Sequence, residues 1–193
     1  MKHFIKSLLV ISLSCLLLNC TPTNTAQRSN ASKLGPALIP LAVGNTWTYT
    51  RLETNETLQS KVEKSQNLNG TTWYLYNEVG ERFWVRNEGM NQYEALDFYD
   101  AEEIKGEEIK TAMVLNVDAA SYSFESVESA SYRKCKTSIT VPAGTFACHL
   151  IRFELGQGEY SENYFKEGIG LLKSTYHTSN DTRTIELVDY QLF

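Results

Sequence analysis

Residues 71–77 read TTWYLYN and residues 82–86 read RFWVR, and these two runs decide the fold. Aromatic and β-branched side chains suit the pleated, half-buried surface of a strand better than the side of a helix. Side chains alternate across a strand, so Trp73 and Leu75 point one way while Tyr74 and Tyr76 point the other. In the same manner Phe83 and Val85 oppose Trp84. Val79-Gly80 breaks the chain between the runs, and Asn87-Glu88-Gly89 ends the second. The pair reads as strands that are apolar on both faces. A sheet with one face in water has no need of that. Either the rest of the chain covers both faces, or one face lines a concave apolar cavity. The covered core is the simpler reading, because sandwiches and small barrels bury such residues routinely.

The same punctuation recurs on either side. Upstream, residues 46–54 (TWTYTRLET) alternate with Trp47 and Tyr49 on one face, and residues 58–64 follow. Asn67-Leu68-Asn69-Gly70 is a strong turn signal, since Asn and Gly tolerate positive φ. Downstream, strand patterns fall at residues 90–96, 113–117, 122–127, 131–141, 146–155, 160–166, 170–178 and 182–191. Pro142-Ala143-Gly144 is a hairpin tip, and in simple register about it Cys148 faces Ile139 and Cys135 faces Arg152. No segment shows sustained helical periodicity. Residues 97–110 (DFYDAEEIKGEEIK) are the least strand-like, and read as a helical turn or a loop with short strands, whose acidic run is a solvated loop and not a calcium site. The expected fold is all-β: a single antiparallel β domain over residues 36–193, built as a curved meander sheet, a half-barrel or a sandwich.

The first residues form a separate unit. Lys2 and Lys6 precede an apolar run at residues 7–18, shorter than the roughly 20 residues that cross a bilayer. That pattern is a signal peptide over residues 1–19. Residues 21–34 (TPTNTAQRSNASKL) are polar with few large apolar side chains, and read with Cys20 as a flexible tether over residues 20–35.

Leu17-Leu18-Asn19-Cys20 resembles the bacterial lipobox, in which a Leu three residues before a Cys directs cleavage and lipid attachment at that Cys. Asn19 departs from the small residue the pattern prefers. Cys15 is a competing site, with a small residue before it but no Leu at −3. The resemblance implies lipidation of Cys20 and a partner in the membrane, held through acyl chains. Thr21, which is not Asp, implies the outer membrane, with the domain facing the periplasm. Three further stretches resemble a group of bacterial secreted proteins and lipoproteins of unknown function. They are the opening at residues 40–49 (PLAVGNTWTY), with Gly44, Trp47 and Tyr49, and the hairpin at residues 141–148 (VPAGTFAC), with Pro142, Gly144 and Phe146. The closing motif spans residues 164–173 (YFKEGIGLLK), with Gly168 and Gly170. The group implies no activity. Glycine freedom and aromatic burial explain these residues structurally. The strand-rich pattern is similar to half-barrel lipoprotein carriers, a likeness of fold only.

Composition narrows the function. The 193-residue chain has a formal charge of −5, and loss of Lys2 and Lys6 with the signal leaves 16 basic against 23 acidic residues, or −7. Such a surface repels nucleic acid. Cys135 and Cys148 remain after export to a compartment that permits disulfides. They are either bonded or two small buried side chains, and the simple hairpin register sets them about four residues out of step. His149 and His177 are the only histidines beyond the signal, and His149 and Cys148 point to opposite faces of a strand. No metal-ligand spacing, nucleophile elbow or nucleotide loop occurs, so no catalytic residue, metal or cofactor is expected. The leading expectation is a lipid-anchored, non-catalytic envelope protein that binds or scaffolds an unknown protein. The alternatives are a carrier of a lipid or other apolar ligand, and a hydrolase using dispersed acids such as Asp97, Asp100 and Glu102.

Overall fold

Twelve strands pair into one antiparallel sheet in the structure, a computed structural model that describes residues 36–193 apart from 107–108 and 125–126. In chain order the strands are β1 (Thr46–Arg51), β2 (Glu56–Leu68), β3 (Thr71–Glu78), β4 (Glu81–Glu88), β5 (Asn91–Ala95), β6 (Thr111–Leu115) and β7 (Ser121–Phe124). They continue as β8 (Val127–Lys134), β9 (Ile139–Val141), β10 (Gly144–Phe146), β11 (His149–Gly156), β12 (Glu159–Lys166), β13 (Gly170–His177) and β14 (Thr182–Gln191). The sheet order is β6-β5-β4-β3-β2-β1-β14-β13-β12-β11-β8-β7, and β9 and β10 form a ribbon of their own. The only helical element among the described residues is one 3-10 turn, Leu96–Phe98.

Chain neighbours are sheet neighbours almost throughout. The exceptions are informative. β1 pairs with β14, so the two ends of the domain meet inside the sheet. The outermost strands, β6 and β7, are consecutive in the chain and joined by residues 116–120. The meander therefore curls back toward its own start yet stays open at this seam. Tyr122 on β7 reaches across it: its hydroxyl donates to the Val114 carbonyl at 3.3 Å and accepts from the Asn116 N–H at 3.4 Å. The curved meander is the fold class read from the sequence.

Curvature turns one face inward. Val62, Tyr76 and Phe83 lie abreast on β2, β3 and β4, and Tyr49 lies between Leu58 and Leu187. These side chains join Ile151, Phe153, Leu172 and Ile185 from the opposite wing in a single apolar cluster. A void large enough for water would leave surface on the side chains around it. Val62, Val85, Ile151, Leu172, Ile185 and Leu187 expose 0%. Around these six side chains the concave side is packed as protein interiors are.

One end of this core is closed by the arm at residues 36–41. Leu38 and Ile39 are buried in the cluster. The arm is held on one side by the Gly168 N–H donating to the Ala37 carbonyl at 2.8 Å. On the other, the Asn87 side chain donates to the Ile39 carbonyl at 2.8 Å. Asn45, fully buried, ties the same end together: its amide donates to the Pro40 carbonyl and its oxygen accepts from the Phe193 N–H, both at 2.9 Å. A buried amide with its donor and acceptor both matched fixes geometry at little cost.

The outer face of β3 and β4 is covered too, which resolves the two-sided aromatic pattern. Trp73, Leu75, Trp84 and Ala95 form a second small core with Ile104, which exposes 0%. Ile104 belongs to residues 97–110: the helical turn read there is the 3-10 turn at Leu96–Phe98 and the acids Asp97, Asp100 and Glu102 are solvated, but the stretch is anchored in the protein by this one side chain. Acidic side chains dominate that stretch, and they conceal a strap whose one deep apolar anchor decides where it lies.

The strands expected at residues 131–141 and 146–155 are each broken, and this corrects the hairpin register. Lys134 ends β8 and β9 starts only at Ile139; Phe146 ends β10 and β11 starts at His149. The ribbon pairs Gly144 with Val141 and Phe146 with Ile139. The sheet pairs His149 with Lys134, which brings Cys148 opposite Cys135 instead of Ile139. Past the Lys173–Glu186 pair β13 and β14 part, and the ribbon tip docks there, the Ala143 N–H donating to the Leu187 carbonyl at 3.0 Å.

Candidate functional site

Cys135 and Cys148 are joined by a disulfide, with Cα atoms 5.3 Å apart and the Cys135 N–H donating 2.9 Å to the Cys148 carbonyl. The bond clamps the base of the β9–β10 ribbon. Replacing both cysteines with serine is expected to cost ~3 kcal/mol, the chain-entropy value for a loop of this length. Thermal melts with and without reductant check it: the wild type should drop to the variant's midpoint on reduction, and the variant should not respond. Cys20 lies outside the described residues.

The motif residues converge on packing. Trp47 is 1% exposed, and its indole N–H donates to the Ile169 carbonyl at 2.5 Å. Gly170, at φ 118°, lies under the ring; a Cβ there would sit 3.0 Å from the indole nitrogen. Gly168 holds the arm, as described, and Gly44 lies against the Phe193 ring. Tyr49 is buried beside Tyr76, and burial first, then the neighbouring phenol and Glu78, pushes its pKa well up. Pro142 begins the ribbon turn, and the Phe146 ring packs over Gly144.

The histidines each stack on a tyrosine. His149 stacks on Tyr132, whose hydroxyl lies 2.9 Å from its Nδ1, and burial lowers its pKa. Cys148 beside it is oxidised and offers no thiolate. His177 stacks on Tyr160 with ring centres 4.3 Å apart, and its Nδ1 lies 3.2 Å from the Thr182 hydroxyl. The candidate acids are each matched to a base. Asp97 lies 3.9 Å from Lys110, and Asp100 3.4 Å from Arg82. Glu102 lies 2.8 Å from Lys64 and 2.7 Å from Arg82. The hydrogen bond from Lys64, then that from Arg82, lowers the Glu102 pKa, opposite to what a general acid requires.

Sequence reasoning missed a polar set inside the core. Glu78 (8% exposed), Gln92 (4%) and Glu94 (2%) all turn inward from β3 and β5. Gln92 Nε2 and Glu94 Oε2 have no hydrogen-bond partner. Burial, and then the charge of Glu78, pushes the Glu94 pKa up to about 9. Glu94 is therefore uncharged at neutral pH. Alternation around Tyr93 was the available signal, but it could not show which face turned inward.

The outer face of β2–β5 lies under the strap. Two rows of side chains cross it. In one, Arg86 lies between aromatic rings, its guanidinium carbon 5.4 Å from the Trp73 centroid and 4.5 Å from that of Tyr93. In the other, Lys64, Leu75 and Trp84 lie abreast, with the Lys64 ammonium 5.9 Å from the Trp84 ring. Cations over ring faces keep these aromatics both apolar and positively fringed. Onto this surface the strap is held by side chains that grip its backbone. The Trp84 N–H donates to the Ala101 carbonyl at 2.9 Å. The Gln66 amide donates to the Ile104 carbonyl at 2.7 Å and accepts from the Ile104 N–H at 3.2 Å.

No family model matches the chain, and no curated protein does. Among solved structures it is similar to one described as a "putative lipoprotein" from Parabacteroides distasonis ATCC 8503, at 13% identity and a TM-score of 0.48, over 81% of this chain and 99% of that one. It is also similar to a "putative exported protein with YmcC-like fold" from Bacteroides fragilis NCTC 9343, at 12% identity and a TM-score of 0.47, over 81% of this chain and 100% of that one.

Proposed function

We propose that the chain is a lipid-anchored cell-envelope protein, attached through Cys20, whose β domain binds or scaffolds a protein partner and does no chemistry. The tight packing of apolar side chains on the concave side supports this reading. A carrier needs a cavity with room for its cargo, and here the fully buried apolar side chains of both wings occupy that space. The aromatic second face, which could have lined a cavity, is covered by the strap. Binding therefore belongs to the outer surface. Anchoring by several acyl chains would hold that surface in place for as long as the protein persists, which a single chain would not. The acids considered for hydrolysis sit exposed beside Lys64, Arg82 and Lys110, arranged as ion pairs along the strap.

The anchor is tested by replacing Cys20 with alanine in a bacterial host fed radiolabelled palmitate. The wild type should carry label and sediment with membranes, and the variant should carry none and leave the membrane fraction. An unlabelled wild type recovered from the cytosol would refute the anchor.

A further inference from the structure

We propose that the outer face of β2–β5 is a groove for an acidic peptide with an aliphatic anchor, and that residues 99–104 of the chain occupy it in cis. This rests on the binding role proposed above but not on lipid attachment, so a failed anchor would leave it standing.

The strap is longer than its connection requires. Ala95 pairs directly with Thr111, so β5 and β6 could be joined by a two-residue turn. Residues 96–104 instead leave the hairpin and cross the outer face of β4, β3 and β2. Long connections of this kind inside small domains are commonly functional. The mode of attachment also differs from the rest of the fold. Elsewhere the sheet is held by ladders of backbone pairs. Here one backbone bond, from the Asp100 N–H to the Arg82 carbonyl at 2.9 Å, is joined by side chains of the sheet that grip a turned backbone with Asp100 at φ 53°: the Trp84 indole takes the Ala101 carbonyl, and the Gln66 amide takes both polar groups of Ile104. An amide matched to both the N–H and the C=O of one residue is indifferent to which side chain that residue bears. Specificity then falls to the pocket and the flanking charges.

Those features select a definite class. The pocket formed by Trp73, Leu75, Trp84 and Ala95 takes an aliphatic side chain, now Ile104. Two residues before it, Glu102 meets Lys64 and Arg82; four before it, Asp100 meets Arg82. The pattern read is acid-x-acid-x-aliphatic. The carboxylates are exposed, so each pair adds little affinity but sets register and steers approach. The apolar anchor dominates. Tethering at both ends gives the strap an effective concentration in the millimolar range, so a partner displaces it only by offering more than the same short pattern.

The test uses the full chain with residues 96–110 replaced by Asn-Gly, and a fluorescein-labelled peptide, FYDAEEIKG, copying residues 98–106. Anisotropy should show saturable binding to this variant in the range of about 10–100 μM, and binding to the wild type at least ~10-fold weaker, because its groove is filled. Changing the peptide's Asp and Glu residues to Asn and Gln should weaken binding by roughly 3–10-fold, and changing its Ile to Asp should abolish it. Ile104→Asp in the full-length chain, which keeps every other strap residue, serves as the second receptor and should also bind the peptide. No saturable binding to whichever receptor retains a native circular dichroism spectrum would overturn the proposal. Undiminished binding of the Ile→Asp peptide would overturn it equally.

Discussion

Trp47→Ala is expected to destabilise the domain by ~3–5 kcal/mol, the range for removing a large aromatic from a packed core. Three losses combine. The ring, 1% exposed, leaves a cavity among β1, β13 and the buried arm. Its edge-on contact with Tyr76, centroids 5.8 Å apart at 89°, disappears. The Ile169 carbonyl loses its donor at the turn before β13, and an unmatched buried acceptor costs ~1–3 kcal/mol by itself. For a domain of this size the melting midpoint should fall by about 6–20 °C. Trp47→Phe separates the terms, keeping the ring while removing the donor, and should cost about 1–3 kcal/mol. Equal melting of Trp47→Phe and wild type would mean that the indole hydrogen bond contributes nothing.

Glu94→Gln is expected to stabilise the protein, and by more as pH rises. The unfolded chain releases the glutamate proton near ~4.3, whereas the folded chain holds it up to about 9. Between those values the native state binds a proton that the unfolded state has lost, so stability falls with increasing pH across that window. Each unit of difference is worth ~1.4 kcal/mol, which makes the penalty several kcal/mol at most near pH 8. Glutamine has the shape of the protonated acid and carries no proton to lose. The midpoints of the variant and wild type should therefore nearly coincide at pH 4.5 and diverge by several degrees at pH 8, with the gap levelling above pH 9. A gap that stays constant with pH would place the Glu94 carboxyl in water instead of in the core.

Particular residues show how far the sequence could be read. The strand runs around Trp73 and Trp84 gave the β class, because alternation of aromatic side chains is a local property. Their two-sided character also required that each face have a cover. What covered the outer face was not legible: Ile104 sits in a stretch of acids, and one apolar residue among charges carries no periodicity. The cysteine pairing was missed in register for a related reason. Pro142 and Gly144 announce a turn, but the alternation beside it reads as continuous strands, and nothing local marks the breaks after Lys134 and after Phe146. Those breaks are set by tertiary contacts, where β8 and β11 join the sheet and the ribbon tip docks on Leu187. Glu94 was illegible because its inward direction depends on how the whole meander curls.

Native mass spectrometry of the detergent-extracted, membrane-derived protein tests the central claim most directly. A domain that carries no cargo, as proposed, should fly as one covalent species, the chain from Cys20 with its acyl groups, and shed nothing when activated. A second mass that leaves only on unfolding, of the size of a lipid or similar apolar molecule, would show that the curled sheet encloses cargo, and would contradict the account.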